Sequence, residues 1–426
     1  MNGYKGKKSK SKGKAIAKSS AGEMNAAAVC ALSSHKPIAE ALAKLGPIGG
    51  RGEVLDQSVG SAPALVAGEQ VAHLTEAWQY MGAAVRAVLC NAGDNAKHFA
   101  YYAQLRAVLS IFSGSGIRVS LGENFLINES GARVPFKLPE RINRTHPLVW
   151  SLWDEWVKTT YAQELMGKNM SVISGISLSD LALIPAGSGA LLGAWGYDLA
   201  RGRKDHAARN DSSYKAMSRL ASPEMDAASI ELVRRIWTLL LENGDGVVFD
   251  ATLVRYFVER YLASTVEQGV KDAQVVNRKD VLDRVIEQTS AKTGVSKSML
   301  EQVFSADVDT KLFDHASAAE TNVENVVSRA LFLLRIATLA LAEGLRSGAN
   351  QHCKSWLAYW LQSGGLYNPD VHDAPSEIAT DYEGALDEFD DVDATKLPAS
   401  VWDRSLAQSS ALLARPEGFV GWALPL

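Results

Sequence analysis

The sequence predicts a mainly α-helical fold, a multi-helix bundle with one small antiparallel β-meander, and three observations lead there. Stretches after about residue 66 repeat apolar side chains at intervals of three and four, the spacing that lines one helix face. One stretch, about 117–136, alternates instead. No strand-helix alternation and no repeat of fixed period runs through the remainder.

Taken in order, the first eighteen residues hold seven lysines and no acid, in a Lys/Gly/Ser composition that cannot bury enough apolar surface to offset chain entropy. Residues 1–22 are therefore expected to be a disordered basic tail and 23–65 an irregular lead-in. A helical domain is expected over 66–220. "EQVAHLTEAWQYMGAAVRAVLC" and "AKHFAYYAQLRAVLSIF" are its first helices, with the turn-prone "NAGDN" between them. "GIRVSLGENFLINESGARVPF" alternates, is rich in β-branched residues and carries turn signals at Gly-Glu-Asn and Glu-Ser-Gly, which gives the meander. "HPLVWSLWDEWVKTTYAQEL" returns to helical spacing, with Trp150, Trp153 and Val157 on one face, a core contact before a base-stacking surface.

A second helical domain is expected over 221–366. "SPEMDAASIELVRRIWTLLLENGDG" opens with Ser222 as N-cap and Pro223 in the first turn and ends in Asn-Gly. Helices near 249–268 and 277–291 precede the apolar segment at 321–347. That segment contains Arg329 and Arg335, which are costly in hydrocarbon, so it is expected to be a buried core helix and no membrane partner is expected. From 367 to 426 the chain is expected to be acidic and largely irregular.

The net charge of −4 conceals a separation: without the lysine tail the chain carries −11, and seven of those acids fall in "DYEGALDEFDDVD" at 381–393. A polybasic tail can hold phosphate backbones without reading sequence, so Lys7, Lys8 and Lys10 are candidate nucleic-acid contacts. The tail can equally fold back on the acidic segment or simply keep the chain soluble. Three distant cysteines (Cys30, Cys90, Cys353) suggest neither a disulfide framework nor a zinc site. With no apolar block after the N-terminal charges, a cytoplasmic setting is expected.

Familiar site signatures are scarce. "LALIPAGSGALLG" at 181–193 has the spacing G-x-G-x-x-x-G rather than that of a dinucleotide loop, and close helix packing explains its glycines better. "GPIGGRG" at 46–52 lacks the Gly-Lys-Ser/Thr ending of a phosphate loop, and no HExxH, paired CxxC or calcium-loop pattern occurs. No metal and no cofactor is expected.

Two polar stripes remain. Asn91, Asn95, His98, Tyr102 and Arg106 fall on one face if the "NAGDN" turn is only a kink; a histidine, a phenol and an arginine in register can bind an anion or move protons, or form a buried hydrogen-bond ladder. Glu324, Arg335 and Arg346 share another face. Arg335, among leucines, needs either an acid on another helix or an anionic ligand.

Four segments, "HFAYYAQLRAVLSIFSGSGIRV", "RTHPLVWSLWDEW", "DLARGRKDHAARNDSSY" and "SRALFLLRIATLALAEGLRSG", resemble a group of helical bacterial proteins found among phage-defence genes. Some of these are similar to the HEPN superfamily of helical, often dimeric proteins that includes metal-independent ribonucleases. The resemblance spans about 95–350 and implies a bacterial antiviral setting and a possible homo-oligomer. It also implies an Arg-x4–6-His motif in which histidine moves the proton and arginine meets the phosphorane charge. Arg201 with His206, and Arg346 with His352, have that spacing. Glycines follow both arginines, and helical spacing turns each pair off a common face. On this basis His206 and Arg201 are the catalytic candidates, with Arg203, Lys204 and Arg209 as phosphate contacts. The alternative is a non-enzymatic scaffold or regulatory subunit that binds another protein through its helical surface.

Overall fold

The computed structural model describes residues 62–390 and 406–426, apart from breaks at 121–122, 129, 136–144, 158, 174, 182–200, 215–226, 245, 273–275, 307 and 347–350. Lys7, Lys8 and Lys10, the lead-in up to residue 61, most of the 181–193 stretch and the Ser222–Pro223 cap lie outside the described residues, while 62–65 already belong to the first helix.

The chain is mainly helical, with two small antiparallel sheets. Helices α1 (Ala62–Leu89) and α2 (Gly93–Gly114) lead into β1 (Ile117–Arg118), β2 (Phe125–Ile127) and β3 (Arg133–Pro135). Next come α3 (Thr145–Trp156), α4 (Thr160–Asn169), the hairpin β4 (Ser171–Ile173) and β5 (Ile176–Ser177), and α5 (Gly202–Tyr214). The second half contains α6 (Ala227–Leu240), α7 (Val248–Lys271), α8 (Arg278–Thr293), α9 (Lys297–Ser305), α10 (Lys311–Ser317), α11 (Val323–Arg346) and α12 (Gln351–Ser363). The C-terminal part adds α13 (Ile378–Asp390), α14 (Ala407–Leu413) and α15 (Val420–Ala423).

The expected meander is present in the order β1-β2-β3, with Ile117 opposite Leu126 and Leu126 opposite Val134. The hairpin β4–β5 was not expected; Gly175, with φ 81°, makes its turn.

Packing begins with α1 and α2, folded against each other as a hairpin. Its turn is sharper than the kink the stripe required: Asn91 has φ 50°, a left-handed value that asparagine tolerates, and Ala92 N–H bonds to Ala87 carbonyl at 2.8 Å. Asn91 therefore lies off α2, and the stripe on that helix starts at Asn95. Across the hairpin lies α11, buried at every residue from Asn325 to Ala342. Among the described helices it is the one long and apolar enough to cross a membrane, and its apolar window is wholly buried inside the protein. Trp78 Nε1 donates to Thr338 Oγ1 at 3.1 Å, tying α1 to α11.

Two expectations need correction. The helix expected from 146 through 165 is two helices: α3 ends at Trp156, whose indole N–H donates to Ser115 Oγ at 2.9 Å. A separate cap follows, with Thr159 Oγ1 accepting from Ala162 N–H at 3.2 Å to start α4. The C-terminal segment is not irregular over Ile378–Asp390, because α13 buries Ile378, Tyr382, Leu386 and Phe389 on one face while its acids face outward. The expected border at 220–221 lies outside the described residues, and the apolar cluster of the described residues has members from Ala62 to Leu424. The C-terminal segment closes that core: Trp237 stacks on Tyr382 at 4.4 Å, and Trp422 Nε1 donates to Leu240 carbonyl at 3.0 Å.

Candidate functional site: an imidazole, phenol and guanidinium cluster

Helix α5 is polar over its described residues, and two contacts at its start seat it. Gly202, its first residue, lies against the indole of Trp150 on α3, where a Cβ would stand 2.1 Å from the ring. The glycine that weakens the helical form of the Arg-His motif is thus a packing requirement. Asp205 is the second contact. It is 1% exposed and accepts from Arg329 of α11 through Nε at 2.7 Å and Nη2 at 2.6 Å, and from Gln104 of α2 at 3.0 Å. Arg329, fully buried, also donates to the carbonyls of Ala318 and Glu320. Two charges removed from water are tolerable only when saturated in this way.

The next residue, His206, is thereby fixed over α2. Its ring lies 4.8 Å from that of His146 on α3, nearly parallel, and 5.4 Å from Tyr101 on α2. The Tyr101 hydroxyl is 2.5 Å from His146 Nδ1, while Trp150 Nε1 donates toward the same oxygen at 3.5 Å. Burial raises the Tyr101 phenol well above its ordinary value. The phenol thus keeps its proton, and this short contact ties it to the His146 imidazole.

One turn beyond His206, Arg209 reaches Tyr102 twice: its Nη2 donates to the hydroxyl, and its guanidinium lies 4.9 Å from the ring centroid. Tyr102 stacks on Tyr80 of α1 at 5.3 Å and lies 5.1 Å from His98. His98, Tyr102, His146, His206 and Arg209 are all half-buried, so the cluster is partly exposed to solvent.

Its electrostatics follow from that placement. Burial first, then the charges of His206, Arg209 and Arg106, lowers His146 to about 4. Burial and Arg209 lower His206 and His98 as well. At neutral pH the imidazoles are uncharged bases beside a permanent guanidinium, a set that can accept a proton and hold an anion.

The candidates distribute unevenly around this centre. His206, Arg209, His98 and Tyr102 are in the cluster. Arg106, at the far end of the stripe, is tied to α1 through Glu76 at 2.9 Å and His73 Nδ1 at 3.1 Å, and His73 is lowered to about 3, mainly by burial. Arg201 is half-buried just before α5, where its carbonyl accepts from Lys204 N–H at 2.7 Å and Asp205 N–H at 2.9 Å. The cation acting on His206 is Arg209, three residues on and near the same helix face, rather than Arg201, five residues back. Arg203 and Lys204 are exposed on the rim, Arg203 donating to Ser151 Oγ at 2.9 Å.

The other stripe does not form a site. Arg335 is closed off by Asp250 of α7, with Nε to Oδ1 at 2.8 Å and Nη2 to Oδ2 at 2.5 Å, which makes it a salt bridge rather than a ligand contact. Arg346 is exposed and donates to Asn169 Oδ1 at 3.3 Å; His352 is exposed at the start of α12.

Sequence reasoning missed Tyr101 and His146. The signal for Tyr101 was its place between His98 and Gln104, which set it on the buried side of α2. Nothing local marks His146, whose partner His206 is sixty residues away in sequence. Among the described residues no group of three or more histidines, cysteines or acids is placed to hold a metal ion. Comparison of the chain with protein-family models, with curated proteins and with solved structures found no match.

Proposed function

We propose that the chain is a nucleic-acid-associated component of a bacterial antiviral system, and that the cluster around His206 receives an RNA phosphate. One observation carries this reading: His206 and Arg209 meet Tyr101, Tyr102 and His146 from two other helices in a half-buried site whose imidazoles are neutral and whose guanidinium is charged. The antiviral setting rests on the sequence resemblance.

With RNA in place, neutral His206 accepts the proton of a ribose 2′-hydroxyl and the 2′-oxygen attacks the adjacent phosphorus. The bond from phosphorus to the 5′-oxygen breaks, leaving a 2′,3′-cyclic phosphate, and water protonates the leaving oxygen. Arg209 offsets the charge that develops on the phosphoryl oxygens. The role first given to Arg201 passes to Arg209.

The test uses the full chain with labelled single-stranded RNA across a salt series. Binding is expected to weaken as salt rises, Arg209→Ala to lower the slope of log K against log salt by about 0.7, and His206→Ala to abolish cleavage while binding persists. Cleavage and affinity unchanged in both variants would overturn the proposal.

A second reading has its own support, since Tyr101, His146, Tyr102 and Arg209 already partner one another. On that reading the cluster is an interhelical joint in a non-enzymatic scaffold. His206→Ala would then lower the unfolding midpoint without any change in RNA handling.

A further inference from the structure

A cleft of about 630 Å³ lies between α1, the start of α2 and the segment Ala414–Glu417, and the imidazole cluster does not use it. Its volume falls within the range of small-ligand sites, about 300–1,000 Å³. Ala83 and Ala87, one turn apart on α1, and Phe99 on α2 supply apolar wall. Arg86 and Arg415 bring two guanidinium groups, Arg86 being exposed.

Glu417 also lines the cleft and is only 9% exposed. Its Oε1 accepts from Arg415 Nε at 3.1 Å, whereas Oε2 is buried with no hydrogen-bond partner among the described residues. Gly82 leaves that oxygen room, since a Cβ there would stand 2.6 Å from it. An acceptor left unpaired in this way is costly, and a ligand N–H would relieve the cost. Burial holds Glu417 above the ordinary carboxylate range although Arg415 and Arg86 both act to lower it.

These features together specify a ligand with an anionic end, a flat apolar body and a hydrogen-bond donor. An inorganic anion would use the guanidinium groups alone. A fatty acid would leave Glu417 unpaired, and an aliphatic amino acid would satisfy both charges without presenting a flat face to Phe99. We infer that the cleft binds a nucleoside monophosphate, its phosphate on Arg86 and Arg415, its base on the wall of Ala83, Ala87 and Phe99, and a base N–H on Glu417. This inference does not depend on the proposed function, because it uses none of the cluster residues.

Isothermal titration calorimetry of the full chain with AMP, GMP, CMP and UMP, and with ribose 5-phosphate, inorganic phosphate and leucine, tests it. At least one nucleotide is expected to bind about tenfold or more tightly than ribose 5-phosphate, phosphate or leucine. Arg86→Ala, at an exposed position, should weaken that nucleotide about tenfold while leaving the ligand-free unfolding midpoint unchanged. Glu417→Gln should alter the preference among the four bases, and a selective nucleotide response in the parent protein stands as support should that variant fail to fold. Absence of nucleotide binding, equal binding of ribose 5-phosphate, tighter binding of leucine or an unaffected Arg86→Ala would overturn the inference.

Discussion

Asp205 and His206 are neighbours on one helix and face opposite kinds of environment. Asp205 enters a closed network in which Arg329 and Gln104 of two other helices saturate its oxygens, with both charged partners removed from water. His206 enters a half-buried cluster in which an uncharged imidazole stacks on another and the guanidinium of Arg209, held by Tyr102, lies about one turn away. The first arrangement fixes position, with both Asp205 oxygens already taken. The second is poised to exchange protons and charge because its ionisation has been shifted but not locked. A polar helix with little apolar surface can thus be placed accurately by one buried ion pair and still present its next residue for chemistry.

The largest expected effect breaks the closed side. Asp205→Asn leaves the Arg329 charge buried and unmatched, and denaturant unfolding should show a loss of about 3–5 kcal/mol. The double variant Asp205→Leu with Arg329→Met should recover most of that loss, since it removes both desolvation costs. A double variant as unstable as the single one would mean that the pair contributes net attraction rather than placement.

Next comes Gly202→Ala. The added methyl meets Trp150, which has no space to yield, so overpacking of about 1–3 kcal/mol should outweigh the better helix propensity of alanine. An unchanged unfolding midpoint would show that α5 is not seated on that indole.

Two half-buried histidines, His146 in the cluster and His73 beside Arg106, should reveal themselves through pH. His146 and His73 titrate in the unfolded chain near 6.5 but in the folded protein only near about 4 and about 3. Between those values the unfolded state binds more protons, so stability is fully present above about 6.5 and falls as pH drops through this window. Thermal unfolding from pH 7.5 to 4 should show that acid limb, and His146→Gln with His73→Gln should flatten it. The smallest effect belongs to the rim: Arg203→Ala should change stability by no more than about 0.5 kcal/mol.

The same contrast explains what the sequence could and could not disclose. The closed core was legible where apolar residues recur at helical spacing, as in α1, α2 and α11, and the meander where residues alternate. The α3–α4 break was hidden because the aromatic pattern of Trp153, Trp156 and Tyr161 runs across it, with Thr159 as the only local sign. Helix α13 was masked by its acids, although Ile378, Tyr382, Leu386 and Phe389 keep the spacing of a buried face. In the site, His206 and Arg209 were visible as a cationic segment. His146 and Tyr101 were not, because stacking between residues so far apart in sequence is decided by how three helices cross.

The most direct test is an NMR titration of the full chain, labelled at its histidine side chains, with a single-stranded oligoribonucleotide. If the cluster receives the phosphate, the His206 and His146 resonances shift on RNA addition and the His206 pKa rises toward its ordinary value as the anion offsets Arg209. RNA bound to the protein with both imidazole resonances and the His206 pKa unmoved would contradict the account.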